Sequence, residues 1–299
     1  MSSNNNTKLK FENDHLVKAL IELSVELEKY EIPLIIGGGL SLYLRTVLFN
    51  KERSPRYPKR VAQRSTKDID IFLSSDLIVD AEKIEILRDS LSRLDYKPKT
   101  KYFQFSKEIE ISDVKREIII DILSSPPKDE DKLKTKIRLP RIKPVEVQEF
   151  HAYLVNEAKG INYGPIPINP TSNFSKDLSI TNLYIPSSYN FIILKLHAFQ
   201  DRREDESVDL GRHHCYDVFA TVTDMDKNDW EIAKSHYEDE KNSDYIISAK
   251  EITKEYFASP ASLGIIRLKE NQLYIKYQAD FNLYIDDFIS DLKSLFNIS

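Results

Sequence analysis

Two stretches decide how this chain folds: Leu34-Ile35-Ile36-Gly37-Gly38-Gly39-Leu40-Ser41-Leu42-Tyr43-Leu44 and, after a basic loop, Arg64-Ser65-Thr66-Lys67-Asp68-Ile69-Asp70-Ile71-Phe72-Leu73. The first opens as a short apolar run, breaks at three glycines and resumes at helical spacing through Leu40, Leu42, Tyr43, Leu44, Val47 and Leu48. The second is a strand carrying two carboxylates two residues apart. The reading is strand, glycine turn, helix, loop, strand. Side chains alternate across a strand, so Asp68 and Asp70 are expected on one face, with Ile69 and Ile71 facing the core. Carboxylates on one face repel unless a cation lies between them, and a hard divalent ion with oxygen ligands, Mg²⁺ first and Mn²⁺ as its substitute, answers that need.

The glycines belong to the same expected site. Without side chains, the backbone at Gly37, Gly38 and Gly39 admits a ligand closely, and the amides opening the next helix point outward at the positive end of its dipole. A phosphate cradle facing a carboxylate-bound metal is what phosphoryl or nucleotidyl transfer requires.

Around this centre, Phe11 to Tyr30 reads as an amphipathic helix. Asn50 to Arg64 is a basic loop, read either as a landing strip for a polyanion or as a solvated connection. Asp80 to Leu94 reads as a helix, and Tyr102–Phe105, Glu108–Ile111 and Arg116–Leu123 as strands. The last is a near-continuous apolar run, expected to be buried on both faces, and Asp121 interrupts it. A buried carboxylate needs compensation. Either Asp121 is a third metal ligand at the strand's exposed end, or it forms a structural ion pair; with Asp68 and Asp70 in place, the ligand is preferred. Ser124 to Pro144 reads as loop, its mixed charge run from Lys128 to Lys143 taken as an irregular surface connection in preference to a second basic contribution, Val145 to Val155 as a strand or strand pair, and Gly160 to Asn173 as an irregular junction.

From Pro186 the pattern turns helical. Phe191, Leu194, Lys195, Ala198 and Phe199 form a helix whose apolar face holds one lysine, followed by Arg202, Arg203, an acidic turn, Asp209, Arg212, His213, His214 and Asp217. Lys195 either snorkels to water or places a point charge on phosphate, with Asp217 holding a helix or a basic neighbour in place. His213-His214-Cys215 is not a zinc site, because adjacent helical residues point about 100° apart and no further cluster completes a tetrahedron. One histidine is expected to pack or cap and the other to face the cleft. Farther on, Ile246–Phe257 reads as a helix, Leu273–Tyr277 as a strand and Phe281–Phe296 as an amphipathic helix.

The 299 residues, 41% hydrophobic, support a real core and suggest three parts: a disordered 1–10, a mixed α+β domain over 11–180, and a mainly helical domain over 181–299. A net charge of -5 excludes a globally basic nucleic-acid binder, though not local basic patches. The single cysteine excludes an internal disulfide. No apolar run approaches the roughly 20 residues that span a bilayer, and the polar start has no signal-peptide pattern, so a soluble cytoplasmic protein without a membrane partner is expected.

Gly37-Gly38-Gly39 followed by Arg64-Ser65-Thr66-Lys67-Asp68-Ile69-Asp70 resembles the opening motif of the polymerase-beta-type nucleotidyltransferase superfamily, in the form GG…R-x-T-x-D-I-D. The spacing from Lys195 to Asp217, with Arg202, Arg212 and His213 between, resembles the AbiEii/AbiGii-type toxin nucleotidyltransferases. The resemblance implies a nucleotidyltransferase domain, with a mixed β-sheet flanked by helices, and Mg²⁺-dependent transfer of a nucleoside monophosphate from a nucleoside triphosphate. Asp68, Asp70 and Asp121 would hold metal, and Asp121 would serve as base. Lys195, supported by Asp217, would neutralise phosphate, while Arg64, Ser65, Thr66, Arg202 and His213 would orient the nucleotide. Where many members have a serine after the first glycine this chain has Gly38, so a hydroxyl contact would come from Ser41. The implied acceptor is RNA, notably a tRNA end, or a protein hydroxyl, with a cognate antitoxin encoded alongside. A small-molecule acceptor and a non-catalytic nucleotide-binding protein are the alternatives.

Overall fold

The computed structural model describes residues 3–49, 57, 61, 64, 66–111, 113–170 and 180–299. Most of the basic loop Asn50 to Arg64, and Ser65, lie outside the described residues. The chain divides into two units, one of 1–49 and 64–186 and the other of 50–63 and 187–299.

The first unit is α+β. Its strands are β1 (Leu34–Ile36), β2 (Asp68–Leu73), β3 (Lys97–Pro98), β4 (Gln104–Ile111), β5 (Val114–Ser124), β6 (Thr135–Arg138), β7 (Arg141–Pro144), β8 (Ala152–Leu154), β9 (Ile166–Pro167) and β10 (Leu183–Ile185). They form one mixed sheet in the order β6-β7-β8-β5-β2-β1-β10-β9, with β4 on β5 and β3 on β4. The pairs β1–β10, β2–β5 and β5–β8 are parallel and the others antiparallel. Its helices are α1 (Ser3–Glu28), α2 (Gly38–Leu48), α3 (Ser75–Ile78) and α4 (Ala81–Arg93).

One face of the sheet is core. Ile69, Ile71, Ile118, Ile120 and Ile122 are buried in a single cluster with Leu16, Leu20, Leu23 and Leu27 of α1 and Ile84, Leu87 and Leu91 of α4. The buried Asn182 is matched by partners: its Nδ2 donates to the carbonyls of Ser24, at 3.0 Å, and Ile32, at 3.2 Å, tying α1 to the approach to β10.

Several expectations change. α1 begins at Ser3, so the polar stretch expected to lack order forms its first turns; once a helix is nucleated, each added residue gains a hydrogen bond. β5 is buried on one face only, because Ile119, Asp121 and Leu123 are half-exposed while the alternate residues are buried. The expected loop 124–144 holds the β6–β7 hairpin, whose charged residues alternate with Ile137 and Ile142 along the two strands. Pro140 sits in its turn, where no ladder N–H is needed. Within 145–155 only Ala152–Leu154 is strand.

The second unit is helical: α5 (Ser188–Arg202), α6 (Arg212–Asp224), α7 (Lys227–Glu240), α8 (Asp244–Tyr256), α9 (Leu263–Lys269), α10 (Gln272–Lys276), α11 (Gln278–Phe281) and α12 (Ile285–Leu295). Leu273–Tyr277, expected as a strand, lies mostly in α10, because the Asn271 side chain accepts from Leu273 N and caps a helical turn there. Tyr57 also belongs to this unit, its hydroxyl donating to Asp291 Oδ2 at 2.8 Å. No helix among the described residues is long and apolar enough to cross a membrane.

His236, fully buried on α7, lies 2.9 Å from the Tyr245 hydroxyl and edge-on to Tyr189. Burial holds its pKa at about 4, below the ordinary 6.5, against a smaller opposing pull from Asp239. The unfolded chain therefore binds the proton first, and stability falls as pH drops from about 6.5 to about 4, by about 3 kcal/mol from this group. Melting temperatures of wild type and His236→Gln at pH 7 and pH 4 should show the variant losing less on acidification; an equal loss in both contradicts the assignment.

Candidate active site

The other face of the sheet carries the carboxylates. Asp70 and Asp121 are direct register partners on the parallel strands β2 and β5, and Asp68 partners Ile119. Alternation along each strand therefore puts Asp68, Asp70 and Asp121 on one face, opposite the core isoleucines. All three are half-buried.

Each carboxylate has a distinct setting. Thr66 Oγ1 donates to Asp68 Oδ1 at 2.9 Å, and Gln104 Nε2, from the register partner of Asp121 on β4, donates to Asp121 Oδ1 at 2.8 Å. Asp70 lies over the glycine turn: a Cβ at Gly38 would overlap Asp70 Oδ2. Burial raises the Asp121 pKa; the Gln104 hydrogen bond opposes this, the Asp68 charge adds to it, and Lys99 pulls the other way.

β1 runs antiparallel to β2, with Ile36 opposite Ile71, and Gly37 N–H extends this ladder by donating to Asp70 O at 2.8 Å. Gly38 then takes φ 58°, a left-handed conformation that a side chain resists, and opens α2. At Gly37 a Cβ would run into the Phe72 ring, and at Gly39 it would come within 3.0 Å of Thr66 Cβ and 3.2 Å of the guanidinium carbon of Arg64. The turn thus has room for backbone alone, pressed against Thr66, Asp70 and Phe72. Ser41 is buried, its hydroxyl donating to Gly38 O at 3.0 Å, so this hydroxyl braces the first helical turn.

The site can present an anion with the start of α2 and with Arg64, and a cation with the carboxylates. The donor set suits a hard divalent ion: it is all oxygen and partly desolvated, and the Asp68 charge adds to what disfavours ionisation of Asp121. Among the described residues, no three carboxylate, imidazole or thiolate groups stand together as a finished cage. Thr66 and Gln104 each hold one carboxylate, and the third lies on Gly38.

The remaining expected site residues fall in the second unit. Lys195 Nζ lies 2.9 Å from Asp217 Oδ2, with both side chains buried, and 5.1 Å from the Phe191 ring centre. The lysine expected to snorkel or meet phosphate is therefore matched by an aspartate between α5 and α6. Arg202 Nη1 lies 2.9 Å from His214 Nε2, which fixes His214 as the ring nitrogen acceptor, so the buried His214 packs. His213 is partly exposed, 4.0 Å from Asp209.

Gln104 and Phe72 escaped the sequence reading. Gln104 matters only once the β4–β5 hairpin register is known, and Phe72 was read only as one residue of the strand. The one trace of Gln104 was a polar residue placed between Phe103 and Phe105.

No family model matches the chain, and no curated protein matches it. Among solved structures, the chain is similar to one described as "Solution Structure of Antibiotic-Resistance Factor ANT(2'')-Ia Reveals Substrate-Regulated Conformation Dynamics". The identity is 12%, the match covers 77% of this chain and 94% of that one, and the TM-score is 0.36.

Removing Lys195 alone should take from the fully buried Asp217 the cation 2.9 Å away. Lys195→Met should cost about 3–5 kcal/mol in urea unfolding, and Lys195→Met with Asp217→Leu should recover most of it. A fully stable single variant would show that the pair does not hold α5 to α6.

Proposed function

We propose that this protein is a metal-dependent nucleotidyltransferase, moving a nucleoside monophosphate from a nucleoside triphosphate to a hydroxyl of an acceptor and releasing pyrophosphate. The observation that supports this best is the Asp70 carboxylate lying over Gly38 at the start of α2, with Asp68 and Asp121 on the same face.

In this reading the backbone N–H groups at the start of α2, with Arg64, bind the triphosphate oxygens, and the close fit of Gly39 to Arg64 brings the guanidinium to the same turn. Asp68, Asp70 and Asp121 would hold Mg²⁺, which supplies positive charge to the triphosphate and lowers the pKa of an acceptor hydroxyl. Thr66 and Gln104 orient Asp68 and Asp121. The acceptor oxygen bonds to the α-phosphorus, the bond from that phosphorus to the pyrophosphate oxygen breaks, and its electron pair leaves with pyrophosphate. Asp121 accepts the acceptor's proton in this scheme. Lys195 and Asp217 clasp two helices of the second unit in this scheme.

The test supplies each of four α-labelled nucleoside triphosphates, with Mg²⁺, total RNA and lysate protein. Wild type should label an acceptor, while Asp70→Asn, and wild type with chelator, should lose at least about a hundredfold of the signal, the scale of removing a group that stabilises transition-state charge. The thermal melt of Asp70→Asn should stay close to wild type. Equal labelling by Asp70→Asn would overturn the proposal.

A further inference from the structure

The sheet face that holds the carboxylates continues sideways into a basic, aromatic surface. Phe72, Leu123, Tyr153, Arg141 and Arg138 are successive register partners across β2, β5, β8, β7 and β6. Residues in register share a face, and so do residues two apart on one strand. The face carrying Asp68, Asp70 and Asp121 is therefore also the face of Tyr153, Arg141, Arg138 and the partnered Lys136 and Lys143. Three strand steps separate β5 from β6, roughly 15 Å.

Three observations single out this surface. First, among the described residues no carboxylate is ion-paired with Lys136, Arg138, Arg141 or Lys143, whereas Lys132 and Lys134, just before them, pair with Asp129 and Asp131. Second, the local field is positive although the whole chain carries -5. Lys143, buried with its ammonium on Val147 O, is held below the usual lysine range by burial and then by Lys136 and Arg138. His151 is held below the usual histidine range by burial and then by Arg141, Lys143 and Arg138, against a backbone hydrogen bond. Third, an aromatic platform lies between the cations and Asp121. Tyr153 is 39% exposed and meets Phe103 edge to face at 5.7 Å, and Phe103 O accepts from Ile122 N beside Asp121.

Cations at strand spacing suit phosphates, and an exposed ring among them suits a nucleobase; this pairing of a charged track with a stacking platform is how single-stranded nucleic acid is held without sequence preference. An acidic peptide would use the cations and leave the ring without a stacking partner. We propose that the β6–β7 hairpin and Tyr153 form a rail for a single-stranded nucleic acid, whose end is thereby led along the sheet to Asp121. The inference rests on the transferase reading for the purpose of the rail, and narrows the acceptor of that reading to a nucleic acid strand.

The experiment measures binding without turnover: fluorescence anisotropy of a short fluorescein-labelled single-stranded RNA on the intact chain, with chelator and no nucleoside triphosphate, over a range of salt. Wild type should bind with an affinity that falls steeply with salt, and Arg138→Glu with Arg141→Glu should weaken it roughly tenfold or more. Tyr153→Ala should weaken it roughly tenfold with little change in salt slope, the signature of a lost stack and not of a lost charge. The charge-reversed chain must keep the wild-type circular dichroism, and Tyr153→Ala supplies the second arm if it does not. Undiminished binding by both variants, or displacement of RNA by polyglutamate as effective as by unlabelled RNA, would overturn the rail. Failure of nucleotide transfer with RNA binding intact would instead count against the transferase reading alone.

Discussion

The site depends on one close approach. Gly37 continues the β1–β2 ladder onto Asp70 O, and Gly38 turns left-handed directly beneath the Asp70 carboxylate. Any side chain at Gly38 would take the carboxylate's place and would resist the backbone conformation. Holding a carboxylate against the start of a helix is favourable through the helix dipole. It also leaves the acid next to the place where a phosphate would bind, so an incoming triphosphate and the acid compete for the same positive end unless a cation joins them. The structural chemistry and the proposed chemistry therefore share one cause.

The sheet divides its work by face. Alternation sends Ile69, Ile71, Ile120 and Ile122 into a core with α1 and α4, and the same alternation sends Asp68, Asp70 and Asp121 to the other side. A one-residue slip of β5 against β2 would bring Asp121 inward and Ile122 outward, so the apolar core that fixes the register also fixes the carboxylates. Thr66 and Gln104 then set the acids individually. In the helical unit, the buried Lys195–Asp217 pair follows another logic: two charges removed from water together and set 2.9 Å apart.

Much of this was legible in the residues. The glycine turn, the alternation at Asp68 to Leu73 and the polar interruption at Asp121 are local patterns, and they place the site's main parts on the expected elements. The β6–β7 hairpin was not legible, because Lys136, Arg138, Arg141 and Lys143 read as part of an irregular surface loop until a partner strand gives them a common face. Gln104 was hidden for the same reason, since its role exists only through hairpin register. Lys195 shows the opposite limit: a lysine on an apolar helix is equally suited to a phosphate and to a buried partner, and only packing shows Asp217 beside it. Short segments such as Gln272–Lys276 misled because a few alternating apolar residues fit a strand or one capped helical turn equally well.

The central claim is that Asp68, Asp70 and Asp121 act together on a divalent ion opposite the glycine turn. Anomalous diffraction from crystals grown with Mn²⁺ and a non-hydrolysable nucleoside triphosphate tests it directly. A manganese peak contacting Asp68 and Asp70, with triphosphate oxygens at the amides of Gly38 and Gly39, is the predicted result. Triphosphate bound elsewhere, or no manganese at these carboxylates with nucleotide present, would contradict it.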